Sequence, residues 1–247
     1  MNTIVIPMAG LSSRFKNDGY TLPKYMLYVK DRSLFNLAIS SFKEYFASWN
    51  FVFVARDVFD TGLFIQEECR LLGIKHFKVI ILDRQTRGQA ETVYLGIKKA
   101  KLPKESSLLI FNIDTFRPGF KFPTAYEQWD GFLECFIGEG KNWSYAKTMD
   151  GSPSSRVIET AEKKEISRYC STGIYYFKYA EYFIQAFADE ESKPQIDTKE
   201  LYVAPLYNHL IHNGKNIRLS VIERSEVIFC GLPQEYLHYL NTIVLSK

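Results

Sequence analysis

The sequence predicts an α/β fold in which a doubly wound, mostly parallel sheet is flanked by helices and extended by antiparallel strands in its second half. Three observations predict this class. Strand-like and helix-like segments alternate through the first half, and the apolar runs there have the length of buried strands. In the second half, several strand-like segments follow one another directly. Ligands of such sheets bind beyond the carboxyl ends of the strands, so the loops at those ends are the first candidates for function.

Four strands with helices between them are predicted in the first half. Runs of apolar, aromatic and β-branched residues place the strands at Thr3–Pro7, Phe51–Ala55, Val79–Leu82 and Leu108–Ile113. Apolar residues at helical spacing, with a serine N-cap, a terminal glycine or a following proline, place the helices after Ser33, over Leu63–Leu72 and over Ala90–Ala100.

The second half is less regular. Its predicted strands are Phe132–Ile137, Ser144–Thr148, Val157–Glu159, Cys170–Phe177, Ile217–Ile222 and Val227–Phe229. Its predicted helices are Ala180–Ala188, Leu201–Asn213 and Gln234–Leu245. No repeat, low-complexity stretch or linker interrupts the chain, so a single domain over residues 1–247 is predicted.

Composition excludes several classes of protein. A chain of 247 residues with 46% hydrophobic and 24% charged residues is not disordered as a whole. The net charge of +3 does not predict binding to nucleic acid or to an acidic membrane. The apolar runs fall short of the ~20 residues that cross a bilayer, and no secretory signal precedes the first strand. Four scattered cysteines without a C-x-x-C pair indicate reduced thiols, so we expect a cytoplasmic protein.

The loop after the first strand carries the strongest chemical signal. Its small residues, Ala9, Gly10, Leu11, Ser12 and Ser13, follow a buried strand directly, which lets backbone N–H groups approach an anion closely. Arg14 and Lys24 add two positive charges that a polyphosphate needs. Composition alone does not separate this interpretation from an ordinary surface loop with a solvated arginine and lysine.

Ala9-Gly10-Leu11-Ser12-Ser13-Arg14 and Pro23-Lys24-Tyr25-Met26-Leu27 resemble the signature of the sugar-1-phosphate nucleotidylyltransferase (NTP-transferase) family, A-A-G-x-G-T-R followed by P-K-x-M/L. Ser12 replaces the second glycine of that pattern. The resemblance implies a Rossmann-like, GT-A-like sheet with a nucleotide-binding half over residues 1–120 and an acceptor-binding half over residues 121–247. It also implies that the loop cradles the triphosphate, with Arg14 and Lys24 as catalytic charges.

Further segments follow in the order of the family. They are Gln85–Ala90, Phe111–Asp114, Val157–Lys163, Ser171–Phe177 and Cys230–Tyr236. The resemblance implies that Gln85 and Gly88 hold the nucleobase, that Asp114 binds catalytic Mg²⁺, that Glu162 meets sugar hydroxyls, that Lys163 meets the sugar phosphate, and that Gly173 lies beneath the sugar. Each segment alone also fits an ordinary helix start, cap or charged turn. Trp143 and Tyr145 are further candidates for stacking on a ligand.

One position departs from the family. Phe229 stands where the second magnesium-binding aspartate of the family usually lies, and phenylalanine cannot ligate a metal. Three explanations remain open: one protein carboxylate suffices, a neighbour such as Glu226 substitutes, or the chemistry is impaired.

The resemblance implies an enzyme that joins a nucleoside triphosphate and a sugar-1-phosphate into a nucleotide sugar and pyrophosphate, as a precursor for capsule or lipopolysaccharide. Relatives commonly form dimers or tetramers, so a homo-oligomer is among the expected states. Two alternatives stay open: a cytidylyltransferase acting on phosphocholine or a polyol phosphate, and a nucleotide-binding pseudo-enzyme. A glycosyltransferase is disfavoured because Asp114-Thr115-Phe116 is not the D-x-D that such enzymes usually carry.

Overall fold

The computed structural model describes residues 2–193 and 200–245, and a nine-stranded sheet lies at the centre of this part of the chain. The strands are β1 (Thr3–Pro7), β2 (Tyr28–Val29), β3 (Arg32–Ser33), β4 (Asn50–Arg56), β5 (Phe77–Leu82), β6 (Leu108–Phe111), β7 (Thr115–Phe116), β8 (Gly131–Ile137), β9 (Ser144–Thr148), β10 (Val157–Glu162), β11 (Tyr169–Phe177), β12 (Ile217–Ile222) and β13 (Ile228–Phe229).

Helices cover both faces of the sheet. They are α1 (Ser13–Asn17), α2 (Leu34–Ile39), α3 (Thr61–Leu72), α4 (Gln89–Ala100), α5 (Ala180–Glu191), α6 (Tyr207–His212) and α7 (Pro233–Leu245). Short 3₁₀ turns lie at Lys24–Met26, Ser40–Tyr45, Tyr126–Gln128, Ala204–Leu206 and Arg224–Glu226. None of the helices in the described ranges is long and apolar enough to cross a membrane.

The first half forms the parallel part of the sheet. Strands β6, β1, β4 and β5 lie side by side in that order and run parallel. Along β4, Phe51, Phe53 and Ala55 pack into one hydrophobic core, while Val52 and Val54 pack into another on the opposite face. A strand that is apolar on both faces is typical of a parallel sheet covered by helices on both sides, as the sequence predicts.

The second half adds strands of mixed direction. β11 runs antiparallel to β6 on one edge and to β8 on the other, β9 and β10 pair antiparallel, and β12 runs parallel to β8. One sheet therefore continues through both halves of the chain. The order along its main path is β10-β9-β11-β6-β1-β4-β5. The predicted α/β class with antiparallel additions is confirmed.

One predicted helix begins later than its periodicity indicates. The sequence predicts a helix from Leu201, but the chain becomes helical only at Ala204. Leu201 instead pairs with two backbone partners: its N–H donates to the Arg87 carbonyl at 2.8 Å, and its carbonyl accepts from the Ala90 N–H at 2.9 Å. A tertiary backbone pairing thus overrides a local helical pattern, and it places this segment beside the loop that precedes α4.

Candidate functional site

A cleft of about 900 Å³ opens beyond the carboxyl ends of β1 and β6. Its floor continues over β11. On one edge of β11, residues 174–177 pair with β6 and Cys170 pairs with β9. Residues 171–173 lie between these two pairings and face the cleft. The residues to which the family resemblance assigns catalytic or binding roles all line this one cleft: Ala9, Gly10, Leu11, Ser12, Ser13, Arg14, Lys24, Gln85, Gly88, Asp114, Glu162, Lys163 and Gly173.

The loop after β1 is held by its own backbone and by Ser12. Ser12 has φ 51° and ψ 35°, the left-handed conformation that glycine adopts most easily. Its carbonyl accepts from the Lys16 N–H at 3.0 Å, and its hydroxyl accepts from the Lys24 N–H at 3.3 Å. Serine at this position therefore keeps the turn and ties the loop to the segment that carries Lys24.

Lys24 and Asp114 form an ion pair in the cleft. Lys24 Nζ lies 2.5 Å from Asp114 Oδ2, and the two side chains are 21% and 25% exposed. Burial favours the neutral carboxyl group, but the charges of Lys24 and then Arg14 outweigh it and hold the pKa of Asp114 below its ordinary value. Asp114 is therefore a carboxylate at neutral pH, and the two cations that lower its pKa, Lys24 and Arg14, line the same cleft.

A second carboxylate approaches Asp114 across Gly231. A Cβ on Gly231 would lie 3.0 Å from Asp114 Oδ2 and 3.7 Å from Glu235 Oε2, so both acids border the same small space. Glu235 Oε2 accepts from the Leu232 N–H at 2.9 Å at the start of α7. The sequence does not single out Glu235, although its place two residues after Pro233 in the first turn of a predicted helix is a recognisable signal.

Phe229 lies against aromatic rings. Its ring centroid is 4.7 Å from that of Trp143 and 5.5 Å from that of Phe136. The Arg224 guanidinium makes a cation–π contact with the same ring, 4.8 Å from its centroid. Phe229 and Trp143 both line the cleft. The second proposed stacking residue does not: Tyr145 is fully buried, and its hydroxyl donates to the Gly140 carbonyl.

Glu226, the substitute metal ligand considered from the sequence, lies outside the cleft. Its Oε1 is 3.2 Å from Arg117 Nη2, and its Oε2 accepts from the Glu223 N–H at 2.9 Å in a capping box. The described residues contain no group of three or more His, Cys, Asp and Glu side chains arranged to hold a metal. Mg²⁺ usually takes one or two carboxylates together with phosphate oxygens and waters, so the donor set of Asp114 and Glu235 fits Mg²⁺ bound with a polyphosphate.

The loop before α4 depends on a glycine. Gly88 has φ 142° and ψ −173°, and a Cβ there would lie 2.5 Å from the Leu201 carbonyl oxygen. Behind the loop, the buried Glu91 accepts from the Arg87 N–H at 2.6 Å and from the Arg84 guanidinium at 2.9 Å. Burial by itself favours the neutral form of Glu91, but the hydrogen bonds from Arg87 and Arg84 outweigh it, and the pKa of Glu91 is lowered below its ordinary value. A buried carboxylate therefore anchors the loop.

Gln89 and Asn112 form a pair that the sequence does not reveal. The Gln89 amide donates to Asn112 Oδ1, and both residues line the cleft between the two loops. Asn112 lies directly against Gly173, where a Cβ would fall 2.5 Å from Asn112 Nδ2 and where φ is 93°. Only glycine at position 173 allows this approach, which explains the Gly in the predicted β11 motif.

Glu162 and Lys163, at the end of β10 and directly after it, also line the cleft. The Ser144 hydroxyl donates to Glu162, and burial raises the pKa of this carboxyl group. Lys163 donates to the hydroxyl of Tyr202, whose ring centroid is 4.7 Å from Lys163 Nζ. Tyr202, which the sequence places inside a helix, lines the cleft beside the backbone-paired Leu201.

Comparison with known proteins identifies the family. The crystal structure of the nucleoside-diphosphate-sugar pyrophosphorylase from Vibrio cholerae RC9 has 49% sequence identity and a TM-score of 0.92, over 96% of this chain and 99% of that one. The chain belongs to the nucleoside-diphosphate-sugar pyrophosphorylase family. It is therefore a nucleotidyltransferase, and the family resemblance of its loop motifs is confirmed.

More distant likenesses support the fold. A UDP-glucose pyrophosphorylase complexed with UDP-glucose gives a TM-score of 0.75 at 14% identity, covering 100% of both chains. The inositol-1-phosphate CTP transferase from T. maritima gives 0.72 at 12% identity, covering 100% of this chain and 97% of that one. At these identities the likeness shows only that the fold is shared. No protein-family model and no curated protein sequence matches the chain.

Proposed function

We propose that this protein transfers a nucleotidyl group from a nucleoside triphosphate to a sugar-1-phosphate, releasing pyrophosphate. The observation that carries the proposal is the arrangement of charges in one cleft. Arg14 lies in α1 directly after the small-residue loop, Lys24 is paired with Asp114, and Lys163 lines the same cleft. Three cations around one cleft match the combined negative charge of a polyphosphate and an acceptor phosphate.

The nucleotide would occupy the part of the cleft formed by the first half of the chain. Backbone N–H groups of the loop over residues 9–13 cradle the triphosphate, and Gln85 and Gly88 meet the nucleobase. Arg14 neutralises charge on the departing pyrophosphate, and Lys24 meets the α-phosphate. Such transfer asks the protein chiefly for alignment and charge stabilisation, which these fixed groups supply.

The acceptor would occupy the second half. Lys163 holds its phosphate, Glu162 accepts from its hydroxyl groups, and Gly173 leaves room for it on the β11 floor; Trp143 offers a ring face. An oxygen of the acceptor phosphate attacks the α-phosphorus, and the bond from that phosphorus to the bridging oxygen breaks. No general base is required, because a phosphate monoester is already anionic near pH 7.

The residues that would hold Mg²⁺ are Asp114 and Glu235, on the donor chemistry described above. When bound there, the ion supplies additional positive charge to the phosphate oxygens. Phe229 contributes no ligand, and its ring forms part of the apolar wall with Trp143.

The biological role follows from the chemistry of the product. A nucleotide sugar is an activated glycosyl donor, so a glycosyl transfer reaction consumes it, and we assign that reaction to the assembly of a surface polysaccharide from cytoplasmic precursors. Deleting the gene should remove a surface polysaccharide, as assayed on whole cells. An unchanged polysaccharide profile would contradict this role without affecting the enzymatic proposal.

The test of the activity is pyrophosphate release with Mg²⁺, in which the common NTPs and dTTP are crossed with a panel of sugar-1-phosphates. The proposal expects turnover with at least one sugar-1-phosphate.

The second candidate is a cytidylyltransferase for a phosphorylated alcohol. The Trp143–Phe229 aromatic pair favours it for phosphocholine, because aromatic faces bind quaternary ammonium groups, and turnover with CTP and such an acceptor alone would support it. NTP binding without turnover of any sugar-1-phosphate or phosphorylated alcohol would instead support a pseudo-enzyme.

A further inference from the structure

A buried ion pair lies behind the floor of the cleft and has no part in the mechanism above. Arg117 and Glu134 are 7% and 1% exposed. Arg117 Nε donates to both carboxylate oxygens of Glu134, at 3.1 and 3.2 Å. Replacing a buried ion pair with apolar residues often costs nothing in stability, so its presence calls for an explanation in terms of geometry.

The pair links three segments that border the cleft. Arg117 follows β7, directly after the turn that carries Asp114. Arg117 Nη2 reaches Glu226 at 3.2 Å, in the 3₁₀ turn that leads into β13 and Phe229. On the other side, the Thr172 hydroxyl donates to Glu134 Oε1 at 3.1 Å, and Thr172 itself lines the cleft.

Glu134 lies opposite an irregularity in β11. Cys135 of β8 pairs with Ser171 and Leu133 pairs with Tyr175, so the single residue Glu134 faces the three residues 172–174. This bulge turns Thr172 and Gly173 toward the cleft in place of a regular ladder. The carbonyl of Gly173 accepts from the Asn112 N–H at 3.2 Å, which connects the bulge to the end of β6.

We propose that Glu134 is a positioning residue for the acceptor: through Thr172 and Arg117 it holds the β11 bulge in the shape on which the acceptor phosphate and sugar are aligned. This inference rests on the proposed function. The hydrogen bonds and ion pairs described for Glu134, Thr172 and Arg117 do not involve the loop over residues 9–14 or Gln85 and Gly88. Loss of Glu134 should therefore impair the acceptor and leave nucleotide binding intact.

The electrostatics of Glu134 give this role a pH dependence. Burial raises the pKa of Glu134 to about 7, although the charge of Arg117 and the hydrogen bond from Thr172 oppose the rise, and Glu226 adds to it. These are the charged and hydrogen-bonding groups that face it from β11, from the segment after β7 and from the Arg224–Glu226 turn. Protonation near neutral pH weakens the Arg117 pair and so loosens the bulge.

The test compares Glu134→Gln with Glu68→Gln. Glu68 is a matched control, since it is a buried carboxylate that accepts from Ser33 Oγ at 2.7 Å and from Asn36 Nδ2 at 2.9 Å, and it does not line the cleft. In Glu134→Gln, hydrogen–deuterium exchange over residues 169–177 should accelerate relative to both wild type and the control. The acceptor KM should rise ~10-fold or more while the NTP dissociation constant changes less than about twofold.

The pH profile supplies a further readout. For the wild type, acceptor kcat/KM should fall below about pH 7, above the limb near ~6 that the second ionisation of the acceptor phosphate produces. In Glu134→Gln only the lower limb should remain. If Glu134→Gln fails to fold, Thr172→Val, which removes one hydroxyl at nearly constant volume, should show the same exchange and KM effects in reduced size.

Unchanged exchange over residues 169–177 in a folded Glu134→Gln protein would overturn the inference, as would an equal rise in the KM values of acceptor and NTP. Absence of turnover in the wild type would refute the proposed function separately. The exchange comparison decides the structural part of the inference without any turnover.

Discussion

Replacing Gly88 with alanine should destabilise the fold at the junction of the two halves of the cleft. Gly88 occupies a region of φ and ψ that is essentially restricted to glycine, which costs another residue ~1–3 kcal/mol. The added Cβ would lie 2.5 Å from the Leu201 carbonyl oxygen and 2.8 Å from its nitrogen. Both are backbone atoms in hydrogen bonds, so neither can step aside, and overpacking adds another ~1–3 kcal/mol.

A total of about 3 kcal/mol corresponds to a fall in Tm of ~6–12 °C for a chain of this size. The assay is thermal melting with and without NTP and Mg²⁺. Displacement of Leu201 also moves Tyr202 away from Lys163 and opens the loop before α4, so the NTP-induced rise in Tm should shrink as well.

Gly62→Ala is the control for this prediction. Gly62 lies in the first turn of α3, and its nearest neighbour would be the Ile81 side chain at 3.7 Å, an ordinary contact. Because alanine is the better helix former, the Tm of this variant should stay the same or rise slightly. A Gly88→Ala protein that melts within 1–2 °C of the wild type (~0.5 kcal/mol), with the same NTP shift, would refute the reasoning.

Other substitutions test single charges. Alanine at Arg14 or Asp114 should lower kcat by ~10²-fold or more in pyrophosphate release, because each removes one preorganised charge, and near-wild-type turnover would contradict the assigned roles. Glu235→Gln keeps the acceptor of its backbone hydrogen bond but loses the carboxylate. Its affinity for Mn²⁺ in the presence of NTP, followed by electron paramagnetic resonance, should fall ~10-fold. Glu226→Gln should leave the Mn²⁺ affinity unchanged. A Glu235→Gln protein that binds Mn²⁺ as tightly as the wild type would exclude Glu235 as a ligand. Lys24→Met removes the partner that lowers the pKa of Asp114. The variant should therefore have a smaller free energy of unfolding than the wild type at neutral pH, and this difference should diminish as the pH falls below 3.8, the ordinary pKa of the carboxyl group. A difference that does not depend on pH would contradict the ion pair.

The sequence predicted the elements whose position depends on residues that are close together along the chain. The continuous run of aromatic and β-branched residues over 51–55 predicts a buried strand, which the structure places between two cores, and the small-residue loop follows β1 as expected. The position of Asp114 after β6 also follows from strand order, because parallel strands present their carboxyl ends at one edge.

Residues whose roles depend on distant partners escaped the sequence. The helical spacing from Leu201 onward gave no sign that Leu201 pairs with Arg87 and Ala90, since that pairing exists only after the halves meet. Glu235 borders the same space as Asp114 only because α7 begins beside the turn at Gly231. Glu134 did carry a signal, because a single charge stands inside the apolar strand 131–137.

The most direct test of the central claim follows the phosphorus atoms of the NTP. The enzyme is incubated with Mg²⁺, a productive sugar-1-phosphate, and NTP labelled with ³²P at either the α or the γ position. The proposed attack at the α-phosphorus requires the α label to appear in the nucleotide sugar and the γ label to appear in pyrophosphate. Transfer of the γ label to the acceptor, or its release as free phosphate, would contradict the claim that this cleft performs nucleotidyl transfer.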